Sequence, residues 1–264
     1  MPYLEHSLSS DLTDSNKIWR YIDLYKFMDV LETNSLFFSR IDKLGNDFEG
    51  YYQDSQLVGN VLDLRLVKDI DKLDINNPPK EAIRLNVAME ENFENQLREF
   101  SIHQRQTTFV NCWYRNEYDS HSQWRIYGKN GIGLQSTFEK LKRSLNKTTK
   151  SIHIFPVYYI DYDKDKIPMG NSFFPLMHKP IHFESEKEIR AILYYFPNEK
   201  NIIENREKYG EKVEVDLDIL IENIYLDPDA PNWYIELIEK ILKKYGLVKS
   251  VKKSKISEKP KYGN

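Results

Sequence analysis

Apolar positions change their spacing several times along the chain, and each change marks an element. Residues 17–21 (KIWRY) read as a short strand, after which Leu24, Phe27, Met28 and Leu31 recur at the spacing of one helix face. Asn34 is a suitable helix stop, 35–40 (SLFFSR) returns to strand, and the Gly, Asn and Asp of KLGNDFEGYY make a loop. The segment 54–79 is polar and ends in NNPP. From 81 to 101 a helical stripe follows, carried by Ile83, Val87, Phe93, Leu97 and Phe100. Residues 107–113 and 131–135 have strand character, and Trp124 and Tyr127 between them share a helical turn. Ser136 and Glu139 have the S-x-x-E spacing of a capping box, which predicts a helix to about residue 145. Two long strands are predicted at 151–162 and 186–196, with shorter ones around Val213 and ending in IYLDP. Pro231 then opens a last helix whose apolar face is Tyr234, Leu237, Ile238, Ile241 and Leu242, and Gly246 closes it.

The helices are of unequal length and do not alternate regularly with strands. That order predicts an α+β fold with a mixed, mainly antiparallel sheet and flanking helices. A length of 264 residues suits one large domain, here 17–248, after a polar N-terminal segment (1–16) and before a mobile lysine-rich tail (249–264). With 40% hydrophobic and 30% charged residues the chain falls among globular proteins, and its net charge of −3 gives no general pull toward nucleic acid or membrane. Cys112 is the sole cysteine, so no intramolecular disulfide is available. The opening MPYLEHSLSS lacks the basic flank and apolar core of a secretory signal, and no apolar run reaches the length of a membrane helix. A cytoplasmic protein is the expectation. Aromatics are abundant, with 18 Tyr, 13 Phe and 4 Trp, and can serve a core or a ligand cleft.

Four segments, in order, carry a family resemblance. They are Trp19-Arg20-Tyr21 with its following helix and SLFFSR, NDFEG at 46–50, W-x-x-Y-x3-N-G-I-G at 124–133, and HFESEKEIRAIL at 182–193. Together with the closing PDAPNWYIELIEKILKKYGL they resemble the bacterial domain-of-unknown-function family 2971 over residues 17–247. The opening strand bearing Arg20, its helix, and the strand bearing Ser39 further resemble the start of an ADP-ribosyltransferase fold. Glu186-x-Glu188 resembles the E-x-E pattern of one branch of that superfamily. The resemblance implies NAD as substrate, with no metal, in an ADP-ribosyltransferase or NAD-consuming effector of bacterial toxin or antiviral systems. The macromolecular acceptor stays open.

On that reading Glu188 is the catalytic carboxylate, stabilising an oxocarbenium ion as nicotinamide departs, and Glu186 serves the acceptor. Alternation on a strand would put Glu186, Glu188 and Arg190 on one face, and the plain alternative is a solvated face with a Glu-Arg pair. Arg20 offers a donor fork for a diphosphate, Tyr21 a ring to pack on a base or nicotinamide, and Ser39 a hydroxyl for Glu188 or ribose. Asp47 and Glu49 sit in a turn that would line the cleft or orient Arg20, with Gly50 permitting unusual backbone, unless they only make an Asx-turn. Trp124 and Tyr127 are either packing residues or an aromatic ligand wall. Arg20, Glu186, Glu188 and Arg190 are expected to approach one another across neighbouring strands.

Other patterns fail on geometry. Asp161-x-Asp163-x-Asp165 begins like a calcium loop, but Lys166 and Ser172 stand where Gly and Glu are needed. Pro180 separates His178 from His182 and breaks the helix that zinc binding would require. Gly131-x-Gly133 lacks the rest of a dinucleotide loop, and Cys112 on an apolar strand reads as an inert buried thiol. Two further functions remain open: a nucleotide-sensing or partner-binding module without turnover, and a metal-dependent phosphodiesterase using Asp47, Glu49, Glu186 and Glu188.

Overall fold

The computed structural model describes Tyr3 and residues 7–45, 49–52, 80–256 and 258. The chain opens as strand β1 (Lys17–Ile22), helix α1 (Leu24–Thr33) and strand β2 (Ser35–Arg40). Asp23 caps α1 by accepting the Lys26 N–H at 2.8 Å, and Asn34 ends it in the left-handed conformation at φ 46°. Long helix α2 (Lys80–Gln106) leads into β3 (Thr108–Arg115), followed by α3 (His121–Tyr127), β4 (Ile132–Thr137) and α4 (Phe138–Ser144). Next come β5 (Ile152–Pro156), β6 (Tyr158–Ile160), α5 (Phe174–Met177), β7 (His178–Pro180) and β8 (Glu188–Tyr194). The rest is α6 (Glu199–Asn205), β9 (Gly210–Glu214), α7 (Leu217–Leu220), β10 (Asn223–Leu226), α8 (Asn232–Lys244) and β11 (Ser250–Lys253).

Nine of the described strands form one open sheet, in which β11-β10-β4-β1 and β9-β2 both reach one edge of β3, while β8 and then β5 extend from its other edge. All pairings in it are antiparallel except β10 with β11, and β6 and β7 form a separate parallel pair. The α+β fold with a mixed, mainly antiparallel sheet and flanking helices is as the sequence predicts. One face carries the main core, where Phe27, Leu31, Leu141, Ile238 and Leu242 from the helices cover Ile18, Trp113, Leu134 and Ile189. The opposite face holds two smaller clusters, one around Trp19, Tyr21, Tyr114 and Trp124, the other around Val110, Phe155, Leu176 and Ile192. The polar site lies between them.

A fork in the sheet opens that site. β1 pairs with β3 only at Ile18↔Arg115 and Trp19↔Tyr114, and β2 only at Ser39↔Val110 and Arg40↔Phe109. Between these contacts, among the described residues, the edge of β3 at Asn111, Cys112 and Trp113 has no strand neighbour on that side. Side-chain bonds fill in for the missing ladder: Asn111 Nδ2 donates to the Phe37 carbonyl at 2.9 Å, and Arg20 Nη1 donates to the Cys112 carbonyl.

Four expectations are corrected. Ser136 belongs to β4 and donates to the Leu220 carbonyl, while Thr137 is the residue that caps α4, accepting the Lys140 N–H at 3.2 Å. The strand expected over 151–162 divides into β5, which pairs with β8 as far as Pro156, and β6, which pairs with β7 instead. The strand expected from 186 begins at Glu188, after a 3-10 turn at Ile181–Glu186 and a left-handed Lys187 at φ 40°. Residues 250–253 of the tail form edge strand β11. Backbone pairing with β10, a bond from Lys252 Nζ to Asn223 Oδ1 and half-buried Val251 packed against the main core hold it there. Gly133 owes its place to packing, since a Cβ there would stand 3.0 Å from the Trp124 indole.

Thr137→Ala is expected to lower the unfolding free energy by about 1 kcal/mol in urea titration, the usual cost of a lost N-cap. Glu139→Ala should cost only the few tenths of a kcal/mol of its exposed ion pair with Arg143, and a loss equal to that of Thr137→Ala would restore the capping box read from the sequence.

Candidate functional site

Lys179 on β7 is the centre of the site. Its Nζ lies 2.9 Å from Glu49 Oε1, 2.6 Å from Glu186 Oε2 and 2.8 Å from Glu188 Oε2. The three carboxylates arrive by different routes. Glu188 opens β8, Glu186 ends the 3-10 turn before it, and the left-handed Lys187 between them bends the backbone so that both side chains reach one ammonium. Such a conformation costs a non-glycine residue about 1–2 kcal/mol. Glu49 comes from the segment 49–52, where Gly50 adopts φ 78°, a conformation suited to glycine.

Arg190 closes the cluster from beneath. Entirely buried on β8, it donates from Nε to Glu188 Oε1 at 2.7 Å, from Nη2 to Glu188 Oε2 at 3.2 Å and from Nη1 to the Leu176 carbonyl at 2.8 Å. Its Nη2 is also 2.5 Å from Glu49 Oε2, but among the described residues that oxygen has no aligned hydrogen bond, so the contact is ionic. Three carboxylates face two cations, a net charge of −1 in a place where charge is expensive to bury. Burial alone would push the Glu188 carboxyl up. Arg190 and Lys179 outweigh it and hold the group well below the usual carboxylate range, so Glu188 is ionised at neutral pH. Lys179 is likewise driven up: burial opposes its charge, but Glu188, Glu49 and Glu186 together prevail. The Tyr159 hydroxyl accepts the Glu188 backbone N–H at 2.8 Å and so fixes the start of β8.

Above this cluster the fork opens into a cleft of about 910 Å³. Arg20, Tyr21, Ser39, Glu49, Glu186 and Glu188 line it, together with Tyr127. Strand alternation puts Arg20 between Ile18 and Ile22 on the main-core side, opposite the Glu188 face, and only the fork lets its guanidinium into the same space. Burial lowers the Arg20 pKa and the field of Glu188 supports its charge, yet its one hydrogen bond among the described residues is to the Cys112 carbonyl. A guanidinium with donors to spare can receive an anion. Burial and then Glu188 push the Cys112 thiol up, which keeps it protonated and unreactive.

The aromatic wall is built in two layers. Tyr21 lines the cleft and rests edge-on against Trp124 at 4.8 Å, with its hydroxyl accepting the Ser120 N–H. Trp124 stays behind it, its indole N–H donated to Asp119 at 3.0 Å. Tyr127 is half exposed and reaches Glu186 Oε1 at 3.4 Å; burial and Glu186 push its hydroxyl up to about 12.

The sequence-derived site is therefore partly assembled and partly rearranged. Glu186, Glu188 and Arg190 meet as expected, although Glu186 does so from a turn. Arg20 stands apart from their ion pairs, and Glu49 pairs with Arg190 and Lys179 instead of orienting Arg20. Arg190 and Trp124 support the cleft from behind. Asp47 lies outside the described residues. Where Glu49, Glu186 and Glu188 converge, the Lys179 ammonium occupies the position a metal ion would take in the phosphodiesterase alternative. Lys179 itself has no sequence signal, since a lysine beside a proline reads as surface. Gln123 was also missed. It lines the cleft four residues before Tyr127, on the same helix face.

Among the described residues no helix is long and apolar enough to cross a membrane. Set beside protein-family models, curated proteins and solved structures, the chain matches none of them.

Lys179→Met is expected to destabilise the protein by about 3–5 kcal/mol in chemical denaturation, because it leaves three carboxylates facing Arg190 alone. Acid should act on the same cluster. A depressed folded-state pKa stabilises fully above the unfolded value, near 4.5 for Glu188, and the contribution is lost as pH falls below it. The unfolding free energy of the wild type should drop between pH 5 and 3 more steeply than that of Glu188→Gln, about 1 kcal/mol for each pH unit per group. Parallel curves would remove Glu188 as a source of the acid sensitivity.

Proposed function

We propose that the cleft binds NAD and cleaves its nicotinamide–ribose bond, in an ADP-ribosyltransferase or a related NAD-consuming enzyme. The observation that carries this reading is the joint presence, in one cleft of dinucleotide size, of Arg20 with donors to spare and of Glu188 ionised at neutral pH. Arg20 holds the diphosphate. Glu188 supplies fixed negative charge where an oxocarbenium ion develops, a role that requires an ionised carboxylate and no proton transfer. Glu186 is the most exposed of the three carboxylates, at 21% of its side-chain surface, and faces the acceptor with Tyr127. Ser39 lines the cleft from β2, on the same face as Glu188, and meets the ribose hydroxyls.

A second reading has its own support. Both Glu188 oxygens are already held by Arg190 and Lys179, which suits a rigid nucleotide-binding module that does not turn its ligand over. Nicotinamide release separates the two. In the catalytic case, purified protein with NAD and a cell lysate as acceptor source releases nicotinamide, and Glu188→Gln slows release by about 10²–10³ while NAD binding by calorimetry persists. Arg20→Ala should instead weaken binding. Tight NAD binding with no release from wild type establishes the non-catalytic module, and equal rates for wild type and folded Glu188→Gln remove Glu188 from the chemistry.

A further inference from the structure

Helix α3 supplies one wall of the cleft and is held by few contacts. Only Gln123 and Trp124 of its seven residues are buried, while Ile126 and Tyr127 are 65% and 51% exposed. A helix of two turns does not persist alone in water, so anchors at its ends decide where it sits. One anchor follows it, where the Asn130 N–H donates to Asp227 Oδ2 at 2.8 Å. The other is the turn before it. There the Tyr21 hydroxyl accepts the Ser120 N–H at 2.9 Å, and Asp119 Oδ2 accepts the Trp124 indole N–H at 3.0 Å. The same Asp119 oxygen accepts the Ser254 hydroxyl at 2.5 Å, which ties the turn to the far C-terminal end of the chain.

Ser254 stands directly after β11 and is buried, and its N–H prolongs the strand by donating to the Leu226 carbonyl at 3.0 Å. The stretch that leads to it is fastened along its length. Lys249 Nζ lies 2.8 Å from Asp218 Oδ1, β11 pairs with β10, Val251 packs on the main core, and Lys252 Nζ sits 5.8 Å above the Tyr225 ring. Lys252 and Ser254 are two residues apart, so both face the aromatic cluster of Trp19, Tyr21, Tyr114 and Trp124, and Val251 points the other way. Charge draws the segment in as well. Residues 249–264 carry six lysines and one glutamate, which leaves −8 on residues 1–248 of a chain whose net charge is −3.

We propose that residues 249–254 are a strap that sets the cleft wall through Ser254, Asp119, Trp124 and Tyr21 in turn. While the strap lies on β10, Ser254 holds the turn at Asp119, Trp124 stays behind Tyr21, and α3 keeps Tyr127 beside Glu186. When the strap lifts, Asp119 loses its tie to the sheet and α3 swings outward, widening the cleft at Glu186 while Glu188 and Arg190 stay on β8. Among the described residues β11 pairs only with β10, and an edge strand of this kind is among the first parts of a sheet to open. The strap acts on the wall whichever ligand the cleft takes, so it stands apart from the NAD reading.

Hydrogen–deuterium exchange of the full chain, read by mass spectrometry on peptides from α3, β3, β10 and β11, tests the strap. Ser254→Ala removes the bond to Asp119 and leaves the backbone pairing of β11. It should speed exchange of residues 119–128 about ten-fold, the scale of a lost hydrogen bond to a charged group, with β3 and β10 at wild-type rates. Val251→Ala loosens the strap from its opposite face without touching Asp119, and should speed exchange of 250–254 and of 119–128 together. Thermal unfolding verifies that both variants fold. Wild-type exchange of 119–128 in folded Ser254→Ala overturns the strap. So does faster exchange of 250–254 in Val251→Ala with α3 unchanged, which would make β11 a plain cover for β10. Acceleration of β3 and β10 as large as that of α3 would make Ser254 a residue of general stability and overturns it too.

Discussion

Burial of the Lys179 ammonium among Glu49, Glu186 and Glu188 is the constraint on which the site depends. An ammonium this far from water is tolerated only with several oxygens around it, and those oxygens are tolerated only with Arg190 beneath them. Each partner comes from a different part of the chain: a segment after β2, strand β7, the turn before β8, and β8 itself. The electrostatic requirement thus fixes how the small β6–β7 sheet sits against the main sheet. It also explains the left-handed Lys187, whose backbone strain is offset by placing two carboxylates on one cation.

The cluster and the fork are complementary. If β1 and β2 continued along β3, their ladders would close the space above Cys112, and Glu188 would face packed side chains. Because each strand leaves β3 after two pairs, the sheet opens where the charge lies, and Arg20 enters from the opposite face to satisfy an exposed carbonyl. Apolar clusters on either side of the polar patch keep the rest of that face dry.

Much of this was legible in the sequence, for physical reasons that can be named. Helices 24–33 and 232–244 bury one side each, and strands 17–22 and 35–40 are short runs rich in apolar and aromatic residues between turn signals, so spacing and residue type report them directly. Glu188 and Arg190 obey strand alternation and were found together. The misses involve information that spacing does not hold. Ser136 and Thr137 are both competent caps, and only the register of β4 decides between them. Edge strand β11 is held by backbone pairing and one apolar anchor at Val251, which lysine-rich composition does not reveal. Lys179 and Gln123 matter because of what surrounds them in space, and neither residue type in its local context differs from an ordinary surface position.

The fork has a mechanical consequence. β1 carries β4, β10 and β11 with it, β2 carries β9, and each group is joined to the central strand on this edge by two residue pairs, at opposite ends. The two groups are therefore leaves attached to a common spine by short hinges, and the aperture between them is set by their relative splay. A few degrees of added twist in the sheet would widen or narrow the mouth without breaking a ladder, while Glu188 and Arg190 stay on β8, which is paired along the far side of the spine. Compliance of the opening and rigidity of its floor are then separate properties of one sheet.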